Sequence, residues 1–216
     1  MNRQAQREIR FGLSALALSG LLFALGILLR GPIDLADPGS CCRAAVPPNY
    51  VPAWIIILVG GVLHLYGVLG LYRYLTYRAD SLTAFLAAWL RIAGNALFLP
   101  LPAFLAVDAP AVAELYQAGQ PEAIAVVEAH FTGPVGMALL GVGAVADLVA
   151  TLLFAIVIWR DGRLPRWTAV AFALSLPLLV FPVTLPSEFL GAVLLLISAA
   201  AIARKGWQES GTAAGL

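Results

Sequence analysis

Charge is what this sequence has least of. Its 216 residues include 13 Lys and Arg and 12 Asp and Glu, together 12% of the chain, where a soluble domain carries roughly 25%. With 61% of residues hydrophobic and a mean hydropathy of +0.90, that shortage excludes an ordinary water-soluble domain. No basic block accompanies the net charge of +1, so the clustered positive footprint that nucleic-acid binding needs is missing. The two cysteines, Cys41 and Cys42, are too few for a disulfide framework and lack the spacing of a zinc or haem-attachment motif. Histidine is equally sparse. His64 falls near the middle of one apolar run and His130 at the edge of another, which argues against one haem using both as axial ligands. No Gly-x-Ser-x-Gly elbow, His-Glu-x-x-His helix or Walker A loop occurs, and no cofactor is implied.

What the sequence does have is long apolar runs divided by short charged segments, the pattern of spanning helices of about 20 residues. It predicts an all-α fold, a polytopic membrane helix bundle of six transmembrane helices over 11–29, 52–74, 82–107, 133–159, 167–182 and 187–204. The last two come from one run, Trp167 to Ala203, interrupted only by Glu188. At 1.5 Å per residue that run would reach about 55 Å, nearly twice the hydrocarbon core, and Pro182, Pro186 and Ser187 mark the reversal. Arg3, Arg7, Arg10, Arg73, Arg78, Arg160, Arg163, Arg166, Arg204 and Lys205 fall on one side of this topology, Arg30 and Arg43 on the other. The positive-inside rule then puts both termini in the cytoplasm. Segment 108–131 is expected outside, as two short amphipathic helices begun by Asp108 with Pro110 and by Gln120 with Pro121. Val112, Leu115 and Tyr116 would share one face of the first. Such helices either lid the bundle or gate a ligand.

Polar residues inside lipid are costly enough to mark function. Counted from the cytoplasmic end of each span, Arg91 lies about 13 Å deep, His64 about 15 Å, Asp147 about 18 Å and Asn95 about 19 Å, so all four can meet. One reading is a ligand-binding site: Arg91 offers its guanidinium fork to an anionic group while His64 or Asp147 exchanges a proton or orients the ligand. The other is a structural pair, Arg91 and Asp147 neutralising each other and holding the third and fourth helices in register. Cys41, Cys42 and His130, all on the outer side, offer scattered thiolate and imidazole ligands for a metal. Ser175 and Ser198 are the serines an intramembrane protease would use, without the glycine-flanked context that marks a nucleophile. Glycines of the second span (Gly60, Gly61, Gly67, Gly70) and the fourth (Gly133, Gly136, Gly141, Gly143) permit close helix approach. Pro100, Pro102 and Pro177 can kink helices around a cavity.

An arginine inside the third span, Glu128-Ala129-His130 followed by Gly133 and Gly136, and then Trp159-Arg160-Asp161-Gly162-Arg163-Leu164-Pro165-Arg166-Trp167 form a recognisable order. It resembles an uncharacterised bacterial family of multi-pass membrane proteins, a domain-of-unknown-function family of about this length, most densely over residues 128–173. The resemblance implies a six-helix bacterial inner-membrane protein and transfers no catalytic residue. Phe131 and Thr132 stand where that family has a more aromatic stretch, and Asp147 is an addition to its pattern.

Three function classes follow. The first is a non-enzymatic plasma-membrane protein that binds or transports a small anionic or lipidic molecule in a mid-membrane cavity around His64, Arg91, Asn95 and Asp147. The second is a structural or regulatory subunit that meets another membrane protein through its glycine-rich faces. The third is an integral membrane enzyme acting on lipid or quinone through a lateral cleft. The expected partners are the lipid bilayer, a small-molecule or lipid ligand, and a second copy of the chain or another membrane protein; nucleic acid is not among them.

Overall fold

The computed structural model describes residues 3–32, 42, 47–77, 81–180 and 184–212. Among the described residues the regular structure is helical throughout, with no strand. The helices are α1 (Arg3–Arg30), α2 (Tyr50–Thr76), α3 (Leu82–Phe98), α4 (Pro100–Gln117), α5 (Ile124–Thr132), α6 (Pro134–Asp161), α7 (Arg166–Val180) and α8 (Leu185–Thr212), with a 3-10 turn at Pro121–Ala123 ahead of α5. Five stretches are long and apolar enough to cross a membrane: Gln4–Arg30, Tyr50–Thr76, Leu82–Gln117, Pro121–Asp161 and Leu185–Glu209. The protein is an all-α helical bundle.

Six of these helices close into a ring in which neighbours alternate in direction. α1 lies between α2 and α8, α7 between α8 and α6, and α3 completes the circle between α6 and α2. Hydrophobicity is distributed inside out relative to a soluble bundle. Leu21, Leu25 and Leu28 on α1, and Val142, Val145, Val149, Leu152 and Ile156 on α6, are 40–61% exposed, at the three-to-four-residue spacing of one helix face. Ser19, His64, Arg91, Asp147 and Thr151 are buried within the ring. Glycine brings α1 and α2 together backbone to backbone. A Cβ on Gly67 would stand 2.6 Å from the Leu16 Cα, and one on Gly70 2.5 Å from the Gly12 Cα, so neither position accepts a larger residue without parting the helices.

The half of the ring that carries Arg73, Arg160 and Lys205 is solid. Leu16, Leu71, Phe154, Phe172, Leu195 and Ile202 fill it as one apolar cluster. At its rim Arg163 donates to Asp161, to Glu209 at 3.3 Å and to the Tyr74 carbonyl at 3.2 Å, and its guanidinium lies 4.5 Å from the Tyr74 ring centroid. Burial opposes its charge, but the hydrogen bond to the Asp161 carboxylate and the nearby Tyr74, Asp161 and Glu209 carry its pKa above the ordinary arginine value.

The sequence expectation for segment 108–131 is corrected here. The helix boundary expected at Asp108 lies instead at Leu99 and Pro100, because Pro100 has no N–H with which to continue α3, and the Leu99 N–H closes that helix on the Asn95 carbonyl. Asp108 is an exposed residue within α4, and Pro110 is carried inside the same helix. Val112, Leu115 and Tyr116 share one face of α4 by their spacing; Val112 and Tyr116 pack against the cluster of Tyr50, Trp54 and Phe104, while Leu115 stays exposed. Gln120 makes no side-chain cap for the turn that Pro121 begins. The span expected over 167–182 falls on α7, which is described over Arg166–Val180. The turn expected at Pro182 lies outside the described residues.

Candidate functional site

Because α3 sits between α2 and α6, Arg91 has a polar neighbour on either side. Its Nε donates to His64 Nε2 at 3.0 Å. Its Nη1 donates to Thr151 Oγ1 at 2.5 Å and to the Asp147 main-chain carbonyl at 3.4 Å. The Asp147 carboxylate stands further off: Oδ1 is 3.9 Å from Arg91 Nε, within ion-pair range but without a hydrogen bond, and Oδ1 is buried with no hydrogen-bond partner among the described residues. Gly94 makes room for this carboxylate. A Cβ there would stand 2.5 Å from Oδ1 and 2.9 Å from the Gly143 carbonyl oxygen. Gly94→Ala is therefore expected to push α3 away from α6 and cost about 1–3 kcal/mol, read as a lowered Tm in detergent; an unchanged Tm would contradict this packing.

The directions of the hydrogen bonds assign the His64 tautomer. Arg91 can only donate, so His64 Nε2 accepts and Nδ1 carries the proton. Nδ1 then donates to Ser19 Oγ at 3.2 Å, and Ser19 donates in turn to the Leu16 carbonyl at 2.7 Å. A nucleophilic serine needs the opposite polarity, with histidine accepting the hydroxyl proton, so Ser19 and His64 are not arranged as a catalytic dyad. Among the described residues Ser175 and Ser198 do not hydrogen-bond a histidine either. Each turns back to its own helix, on the Phe172 carbonyl at 2.7 Å and the Leu195 carbonyl at 3.0 Å.

Between this polar cluster and the opposite end of the bundle lies a cavity of about 390 Å³. His64, Arg91, Asn95 and Asp147 all line it, together with an apolar wall that includes Phe23, Ile57, Phe98, Leu105, Leu176 and Leu179. The separation of His64 from Trp54 along α2 gives it a length of about 15 Å. At the far end Arg30 of α1 and Glu188 of α8 form an ion pair at 2.5 Å, with side chains 4% and 11% exposed, and the Arg30 guanidinium lies 5.0 Å from the Trp54 ring centroid. Pro32 and Thr184, both exposed, mark where the cavity reaches the end of the bundle. The cavity thus has an ionic floor, an apolar barrel and a charged mouth, and its volume falls within the range of small-molecule sites.

The structure brings together all four residues that depth-counting singles out. It adds four more: Ser19 and Thr151 around the floor, and Arg30 and Glu188 at the mouth. Of the scattered metal candidates, Cys41 and the His130 side chain lie outside the described residues. Cys42 is buried in the apolar cluster of Tyr50, Trp54 and Phe104, and among the described residues no three His, Cys, Asp or Glu side chains gather. No known protein family, curated protein or solved structure matches the chain. Fold and site define it as an all-α bundle with an axial amphipathic cavity.

Proposed function

We propose that this is a multi-pass protein of the bacterial inner membrane, both termini cytoplasmic, that binds a small lipidic molecule in the axial cavity and exchanges it at the outer side. One observation carries the reading: a cavity whose walls are apolar and whose floor is Arg91, Asn95, His64 and Asp147, a combination suited to an amphiphile with its polar head held deep. The solid apolar cluster across the arginine-rich half supports access from the opposite end alone. The excess of Lys and Arg at that solid end supports its cytoplasmic placement.

The test is native mass spectrometry of protein purified in lipid nanodiscs, beside Leu176→Trp, which puts an indole into the cavity. The wild type is expected to release a bound amphiphile near one per chain, and the folded variant to lose it. Equal retention in both, or no bound species in either even after amphiphile is added, would overturn the proposal.

A further inference from the structure

The cavity floor is an ion pair left incomplete. Arg91 uses Nε on His64 and Nη1 on Thr151 and the Asp147 carbonyl, which leaves the two N–H groups of Nη2 without an acceptor among the described residues. The Asp147 carboxylate accepts no hydrogen bond among them either, although Arg91 Nε is 3.9 Å away. Arg91 is 3% exposed, Asp147 4%, and both line the cavity. An unmet donor and an unmet acceptor therefore belong to two neighbouring residues that line the same cavity, and buried polar groups cost stability until they are satisfied.

Charge narrows the occupant further. His64 carries a single ring proton by its bonding, so the floor's formal charges are one guanidinium and one carboxylate, which cancel. An anionic head would stand beside Asp147 and a cationic head beside Arg91, each an added charge in a site with little water to screen it. A hydroxyl meets both demands at once: its oxygen accepts from Arg91 Nη2 and its proton is donated to the Asp147 carboxylate. Asn95, four residues along α3, adds an amide to the same floor. Above it the wall is apolar for about 15 Å, up to Trp54, whose Nε1 is buried without a hydrogen-bond partner among the described residues.

We infer that the cavity takes an uncharged single-chain amphiphile with a hydroxyl head, bound head-inward, the hydroxyl bridging Arg91 and Asp147 and the tail lying toward Trp54 and the Arg30–Glu188 mouth. This rests on the binding reading above and sharpens it from a small lipidic molecule to a neutral alcohol class.

The orientation puts the tail of the ligand beside a tryptophan. Protein in phosphatidylcholine nanodiscs is titrated with ω-brominated dodecanol and, in parallel, with ω-brominated dodecanesulfonate, whose head is permanently anionic. The Trp54 signal is isolated by subtracting the Trp54→Phe variant. The alcohol is expected to quench Trp54 saturably, with the sulfonate at least about tenfold weaker, a difference of about 1.4 kcal/mol. Asp147→Asn, which leaves Arg91 uncompensated, is expected to reverse that order. Tighter binding of the sulfonate by the wild type would overturn the hydroxyl assignment while leaving the cavity a binding site. Equal affinities unaltered by Asp147→Asn would overturn it in favour of recognition of the chain alone. Saturable quenching by neither probe would remove the binding reading itself. Should Asp147→Asn fail to fold, the wild-type ranking of the two probes decides.

Discussion

Replacing Arg91 by leucine is expected to cost about 3–5 kcal/mol of stability, the largest effect of any single substitution considered for this bundle. The change removes the donor to His64, the donor to Thr151 and the charge opposite Asp147 together. What remains is a carboxylate buried among α3, α6 and the cavity without a counter-charge, and that residual burden, more than the lost contacts, sets the magnitude. The double variant Arg91→Leu with Asp147→Leu is accordingly expected to recover most of the loss, since two apolar side chains leave no charge stranded. Reversible unfolding in mixed micelles reads both values. A single variant within about 1 kcal/mol of wild type, or a double variant worse than the single, would show that the pair is not what the cluster depends on. The same experiment weighs the brace against the binding site: recovery of the fold in the double variant with loss of amphiphile binding assigns the charges to the ligand.

Glu188→Leu is expected to be milder, about 2 kcal/mol, near the worth of one charge-assisted hydrogen bond. The partner it abandons is better placed than Asp147. Arg30 ends α1, bonds the Gly31 carbonyl at 3.1 Å and lies over the Trp54 ring, and its long side chain can turn toward water at the bundle end. The functional consequence is expected to exceed the energetic one, because this pair spans the mouth from α1 to α8. Acrylamide quenching of Trp54 should rise in the variant. Unchanged quenching with unchanged Tm would mean that the pair neither closes the cavity nor ties the helices.

Much of this is legible in the sequence itself. Residue counting at a fixed rise put His64, Arg91, Asn95 and Asp147 at similar depth, and depth is enough when every helix runs nearly parallel to the same axis. Which of them touch depends on helix rotation and ring order, which composition does not carry; that is why Arg91 is hydrogen-bonded to His64 and Thr151 while its expected partner Asp147 stands 3.9 Å away. Thr151 was within reach of pattern, lying four residues from Asp147 and so on the same helix face. Ser19 offered no such signal, since a lone hydroxyl in an apolar run satisfies itself on its own helix. The Arg30–Glu188 pair was hidden for a different reason. Its members lie 158 residues apart, Arg30 just past the end of one expected span and Glu188 at the start of another, and the pairing follows only from α8 returning beside α1. Asp108 followed by Pro110 is a strong local start signal and points to the wrong place for the break before α4. A proline at Pro100, where α3 could no longer donate, prevailed over it.

The circle of helices also has an order in time. α8 is the last described helix to leave the ribosome, yet its place is between α7 and the very first, where Gly20 lets α1 approach so closely that a Cβ there would stand 2.7 Å from the Leu196 nitrogen. A nascent chain that has inserted only α1 through α7 is therefore an open-sided trough, with the guanidinium of Arg30 still awaiting Glu188 and the polar floor facing acyl chains through the gap. Once α8 is in place that side is shut and Glu188 stands beside the arginine, so the cavity exists only when the last described helix has joined the first.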